Sequence, residues 1–303
     1  MSESSGGSSS EQREAQAGTD LAGLRVVALE SRMSDQTAVM LERAGATAVR
    51  APSMRELPLE NNETALQFAR ALIDGELDAV IFLTGVGAKH LAEAIETRYS
   101  ADEWRSALAK VQVIARGPKP LTVLRGWKVR VDVQVPEPNT WRDLLETLDR
   151  TYDVRGKRVA IQEYGQTNPE LVDGLTSRGA ASIMRVPVYR WALPEDLEPL
   201  KAAIRACVEG TIGAIVITSA QQIRHLFQVA QAESLDEALT VALRERIIVA
   251  SVGPVATEAL GEYGLKADVE PEHPKLGPLI KALAAEWRNV GKSIPESAFG
   301  DRK

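Results

Sequence analysis

AVIFLTGVGAKHL at 79–91 lies over AIVITSAQQIRHL at 214–226 without a gap. In both stretches an apolar run gives way to a small polar turn and then to a helical pattern. Ala79, His90 and Leu91 recur as Ala214, His225 and Leu226. The match continues outward in register. ARGPKPLTVL at 115–124 lies over SVGPVATEAL at 251–260, which sets Gly117-Pro118 on Gly253-Pro254. VDV at 131–133 lies over ADV at 267–269, and GLRVVALE at 23–30 over GKRVAIQE at 156–163. In that last pair RAGATAVRAP at 43–52 lies over SRGAASIMRVP at 177–187, with one residue inserted. One such match arises by chance between apolar strands. Several in the same order, at a period of about 135 residues and each with Gly, Pro or His landmarks, indicate a tandem duplication.

Short runs rich in Val, Ile and Ala recur along the chain: VVALE (26–30), DAVIFL (78–83), VQVIA (111–115), RVAIQ (158–162), AIVIT (214–218) and IIVAS (247–251). Each is followed by turn residues and a helical pattern. Continuous apolar runs that alternate with helices indicate parallel strands covered on both faces. The expected fold is α/β, with two similar doubly wound parallel-sheet domains. Ligands of such sheets bind at the carboxyl ends of the strands, where helix N-termini point. ATAVRAP (46–52) and ASIMRVP (181–187) are short, β-prone and end at a proline. On the repeat alone each is either an internal strand of its domain or a connector between domains.

A chain of 303 residues suffices for two domains of ordinary size. At 44% hydrophobic and 26% charged it has the profile of a globular protein, and its net charge of −6 argues against a nucleic-acid partner. Cys207 is the single cysteine, so no internal disulfide forms, and it reads as a buried small hydrophobe. His90, His225 and His273 lie too far apart in sequence for a local metal motif. Residues 1–20 carry almost no apolar side chains and read as a disordered tail without a targeting segment. No apolar run reaches the roughly 18 residues of a membrane span. The expectation is a cytoplasmic protein with no membrane partner.

At ITSAQQIRHLF, at VASVGPVATEALGEYGLKADVEPE and at RVPVYRW the sequence resembles the uroporphyrinogen-III synthase family, over about 24–285. The resemblance implies two chain crossings through a two-stranded antiparallel ladder, made here of 46–52 and 181–189. The first domain would be 21–45 plus 191–290, the second 53–180, and 291–303 a tail, with the active site in the cleft between the domains. It further implies cyclisation of the linear tetrapyrrole hydroxymethylbilane to uroporphyrinogen III, with inversion of the last ring and loss of water. No cofactor and no metal are needed for this. The upstream hydroxymethylbilane synthase is a candidate protein partner, and the chain is expected to be a monomer. The chain departs from the family's habit at Gly85, where a serine is frequent, and at Val255 and Ala256, where threonines are. A non-catalytic domain on this fold that senses a tetrapyrrole or another small ligand is the alternative reading.

The implied substrate carries many carboxylates, whereas the protein is acidic, so binding has to come from local donors. Helix N-termini supply them through free backbone N–H groups and the dipole. The expected binding turns are Thr84-Gly85, Gly117-Pro118, Thr218-Ser219-Ala220 and Gly253-Pro254. Arg32 after the first strand, and Arg116 and Lys119 around the Gly117 turn, are further candidates. Gly85-x-Gly87 fails as a dinucleotide loop because His90 holds the third glycine position. His90 and His225 occupy equivalent helix positions and are expected to pack. Tyr189, which ends RVPVY, corresponds to a functionally important tyrosine of the family and is the catalytic candidate. Its first-copy counterpart is Met54.

Overall fold

The computed structural model describes residues 20–59, 63–165 and 168–300. Two compact units divide the chain, one formed by residues up to Arg55 together with Leu193 onward, the other by Glu56–Ala192. In the first unit the chain runs through β1 (Arg25–Ala28), α1 (Ser34–Arg43) and β2 (Thr47–Arg50). It then enters the second unit with β3 (Arg55–Pro58), α2 (Glu63–Ile73), β4 (Ala79–Phe82) and α3 (Gly85–Ile95). That unit continues with α4 (Ala101–Leu108), β5 (Gln112–Ala115), α5 (Pro118–Gly126), β6 (Val133–Gln134) and α6 (Trp141–Thr151). It closes with β7 (Arg158–Gly165), α7 (Pro169–Ser177) and β8 (Ser182–Ala192). Back in the first unit come α8 (Glu198–Val208), β9 (Ala214–Ile217), α9 (Ala220–Ala232) and α10 (Asp236–Glu245). The last elements are β10 (Ile248–Ser251), α11 (Pro254–Gly261) and α12 (Leu276–Glu286), followed by two short 3₁₀ turns.

The sheet of the first unit has the order β10-β9-β1-β2, all parallel. The sheet of the second has the order β3-β8-β7-β4-β5-β6, and its strands from β8 to β6 are parallel. Setting β7 on β1, β4 on β9 and β5 on β10 makes the two orders coincide. The apolar runs are continuous because each sheet is covered twice. Val27, Ile215, Ile217 and Val249 belong to one apolar layer of the first unit, whereas Val26, Ala214, Val216 and Ile248 belong to the other. Val80, Phe82 and Val113 in the second unit likewise face one layer, and Ala79, Ile81 and Ile114 the opposite one. Alternate residues of a strand point to opposite faces, so burial on both faces makes β4 and β9 apolar at every position.

Matched aspartates close both sheets in the same way. Asp132 accepts from Val113 N at 2.9 Å, and Asp268 accepts from Val249 N at 2.7 Å. In return their own amides donate to Val113 O and Val249 O. An extended residue thus offers both a main-chain and a side-chain partner to the neighbouring strand.

The crossing differs from the expected ladder. Residues 46–52 do not pair with 181–189: β2 pairs with β1, and Ala51 N continues that ladder to Ala28 O. β8 pairs with β7 over most of its length, and its other neighbour is β3. Arg55, the first residue of β3, donates Nε to Leu193 O at 3.1 Å, just past the end of β8, and pairs with Glu195. β3 and β8 therefore run in opposite senses, and residues 55–58 hold the place expected for 46–52.

The C-terminal segment is also not a tail throughout. Lys292 Nζ donates to the Leu243 and Ile247 carbonyls at 2.8 Å and pairs with Asp268. Ala298 is fully buried, Phe299 bridges Leu24, and Gly300 N donates to Gly23 O. Apolar side chains at 294, 298 and 299 explain this docking, because leaving them in water costs burial energy. Residues 1–19 and 301–303 of the expected tails lie outside the described residues.

Candidate functional site at the carboxyl edges of the sheets

In each sheet the chain proceeds to one side from one central strand and to the other side from its neighbour. β1 leads to β2 while β9 leads to β10, and β7 leads to β8 while β4 leads to β5. The turns beyond these strand ends hold most of the candidate residues.

In the first unit Gln222, fully buried on the first turn of α9, organises the turn after β9. Its Oε1 accepts from Thr218 N at 2.7 Å and from Ser219 N at 3.3 Å, and its Nε2 donates to Thr218 Oγ1 at 3.0 Å. Thr218 Oγ1 in turn donates to Glu30 Oε2 at 2.8 Å. At the turn after β10, Gly253 has φ 155°, a conformation open to glycine, and Pro254 opens α11. Thr257 bonds Ser251 Oγ at 2.9 Å and also reaches Glu270. Arg32 lies exposed in the turn between β1 and α1.

In the second unit the same task falls to a glutamine on a strand. Gln162 of β7, 1% exposed, accepts from Thr84 N at 3.3 Å. Thr84 caps α3 by accepting from Gly87 N at 3.0 Å. Gly85 packs on the start of α5, where a Cβ would lie 2.8 Å from Lys119 O. Asn139, with its amide nitrogen turned inward, donates to Arg116 O at 2.9 Å and to Val135 O at 3.0 Å. Gly117 leaves room for it, since a Cβ there would stand 2.9 Å from the Asn139 side-chain amide. Lys119 is exposed and Arg116 partly buried.

In each unit taken by itself the turns present donors, but part of them are already engaged. Amides of Thr84, Thr218 and Ser219 are held by glutamine carbonyls. Those of Gly85, Val86, Ala220, Gln221 and Val255 have no acceptor among the described residues. At α5 the amide of Lys119 alone is left in the first turn, because Pro118 and Pro120 carry no N–H and Leu121 N bonds Gly117 O.

Tyr189 sits on β8 in the second unit, 2% exposed. Its ring meets His90 at 5.7 Å and Trp191 edge-on at 5.4 Å between centroids. Trp191 packs on Gly165, whose φ of 61° and lack of a side chain make the room. His90 Nδ1 lies 2.9 Å from Glu93 Oε2. Its counterpart His225 is 5% exposed, with Nδ1 donating to Ser53 O at 2.7 Å, and burial lowers its pKa. Both histidines therefore pack on the chain just past β2 or near the end of β8. Cys207 is buried, and burial pushes its thiol up to about 12. Among the described residues no group of three His, Cys, Asp or Glu could hold a metal ion, and no helix is long and apolar enough to cross a membrane.

Sequence reasoning overlooked Gln162, Gln222, Asn139 and the carboxylates Glu30 and Glu163. For the carboxylates a signal existed, because they end the matched segments GLRVVALE and GKRVAIQE.

Comparison with known proteins places this geometry in a lineage. The family model described as "Uroporphyrinogen-III synthase HemD" matches residues 35–281. The Bacillus subtilis (strain 168) protein YjjA, itself uncharacterised, is 29% identical over 267 residues, which is 88% of this chain and 97% of that protein. A mutant uroporphyrinogen III synthase from the extremely thermophilic bacterium Thermus thermophilus superposes with a TM-score of 0.69 at 26% identity, covering 88% of this chain and 99% of that one. The wild-type enzyme in another crystal form gives 0.54 at 28% identity, covering 88% and 100%. The chain belongs to the uroporphyrinogen-III synthase family.

Proposed function

We propose that the protein is a uroporphyrinogen-III synthase, which closes hydroxymethylbilane to uroporphyrinogen III with inversion of the last ring and release of water. The observation that carries this reading is the family match along 35–281, together with the Thermus synthases, which align over 88% of the chain. The open first-turn amides at Gly85, Val86, Ala220, Gln221 and Val255 suit carboxylates, since helix N-termini favour negative charge. Arg32, Arg116 and Lys119 add positive charge near the same turns. Thr84, Gly117, Thr218, Ser219, Gly253 and Pro254 shape those turns.

Hydroxide is a poor leaving group, so the reaction gains from a proton donor. Tyr189 is proposed to give its phenolic proton, directly or through a water, as the terminal C–O bond breaks and water departs. The pyrrole nitrogen supplies the electron pair and an azafulvene cation results. Attack through a spiro intermediate inverts the last ring, and the proton lost when the final C–C bond forms restores the phenol. A phenol donates from its neutral form and so adds no charge to the site before the proton moves. The upstream hydroxymethylbilane synthase is the proposed supplier of substrate, with the present chain acting as a monomer in the cytoplasm. Supplying hydroxymethylbilane and resolving the type I and type III isomers tests the reading. Binding without type III formation would support a ligand-sensing domain instead.

A further inference from the structure

Glu30 lies beyond the carboxyl end of β1, and Thr218 beyond that of β9. These two strands flank the point where the chain's progress across the sheet reverses. Open α/β sheets bind ligands in the crevice outside the strand ends at such a point. Glu30 is fixed there through one oxygen: Oε2 accepts from Thr218 Oγ1 at 2.8 Å and from Gln222 Nε2 at 3.4 Å. Oε1 has no partner among the described residues, and no cationic side chain pairs with the carboxylate. Glu30 is partly buried, so this oxygen retains access. The matched carboxylate of the second unit is treated differently. Glu163 is 4% exposed, and Arg185 neutralises it with bonds of 2.9 and 3.3 Å to its two oxygens.

An anchored, partly desolvated carboxylate with no counter-ion and one open oxygen is a poor neighbour for a polyanion but a good one for a cation. We propose that Glu30 is a catalytic carboxylate that accepts a hydrogen bond from a substrate pyrrole N–H and stabilises the cation formed when the leaving hydroxyl departs. This rests on the synthase reading above. When the C–O bond breaks, its electron pair leaves with the oxygen, which is protonated to water. The nitrogen lone pair is drawn into the ring, and its N–H becomes more acidic. The bond to Glu30 Oε1 strengthens at that moment, and Glu30 takes up no proton. Against the carboxylates of the ground state Glu30 is repulsive, and toward the developing cation it is attractive. Its effect therefore falls on the barrier rather than on binding.

Glu30→Gln tests this, because the amide keeps the shape and an acceptor for Thr218. Expected are a kcat lower by roughly tenfold or more, a KM unchanged or lower, and an unchanged melting temperature. Glu30→Asp, which keeps the charge, should regain part of kcat. A Glu30→Gln enzyme with the parent kcat would overturn the role. So would a loss of kcat matched by a raised KM and a lowered melting temperature, which would mark Glu30 as structural. Parent protein that forms no type III isomer would remove the synthase reading, and this role with it. Parent protein that forms it alongside a fully active Glu30→Gln variant removes the role alone.

Discussion

Gln162 occupies the space that a side chain at Gly87 would need: a Cβ at Gly87 would lie 2.0 Å from Gln162 Nε2 and 2.8 Å from Thr84 Oγ1. In the matched helix of the first unit the position of Gly87 is held by Gln222, which caps its own turn. A glutamine carbonyl thus serves the turn after β4 and the turn after β9, once from a strand and once from the helix itself.

Gly87→Ala should therefore expel Gln162 from a buried position and uncap Thr84 N. Alanine gains about 1 kcal/mol of helix propensity over glycine, but the displaced glutamine should outweigh it, for a net loss of about 1–2 kcal/mol. In a Gln162→Ala background the same substitution should cost less, because only the contact with Thr84 Oγ1 remains. Denaturant unfolding of the four proteins of this cycle measures the coupling.

The reversal between these two residues shows why the fold was more legible than the site. Alternating apolar runs and turn landmarks such as Gly117-Pro118 and Gly253-Pro254 carry the sheet and helix order, because they report local periodicity. Caps delivered from another strand leave no local trace, so Gln162 reads as an ordinary strand residue. The assignment of 46–52 to the connector failed for a related reason. RELP at 55–58 holds a single aliphatic residue and gives no strand pattern, whereas ATAVRAP at 46–52 looks like a strand and is one, but of the first unit's own sheet. Tyr189 stands out through the resemblance, and its burial against His90 and Trp191 could not be read from RVPVY.

Asp78 should set part of the acid limit of stability. Hydrogen bonds from the Arg158 guanidinium and backbone hold its carboxyl at about 2, below the ordinary 3.8. Between those values the unfolded chain binds the proton more readily, so stability present above pH 4 is lost as the pH falls toward 2. Asp78→Asn should be less stable than the parent at pH 7 and approach it near pH 2. Melting curves across that range check this.

Tyr189→Phe should slow type III formation by at least tenfold, since general acid help is worth roughly 10²–10⁴ in rate. The ring and its packing on His90 and Trp191 are retained, so the melting temperature should change little. Type III formation at the parent rate would make Tyr189 a packing residue.

Cyclisation with ring inversion is read out by isomer analysis of the product. Hydroxymethylbilane closes without assistance to the uninverted type I isomer. Generated in place by its upstream synthase and mixed with this protein, it should yield predominantly type III, in proportion to protein added. Product that stays type I at every protein concentration would show that the protein is not a uroporphyrinogen-III synthase.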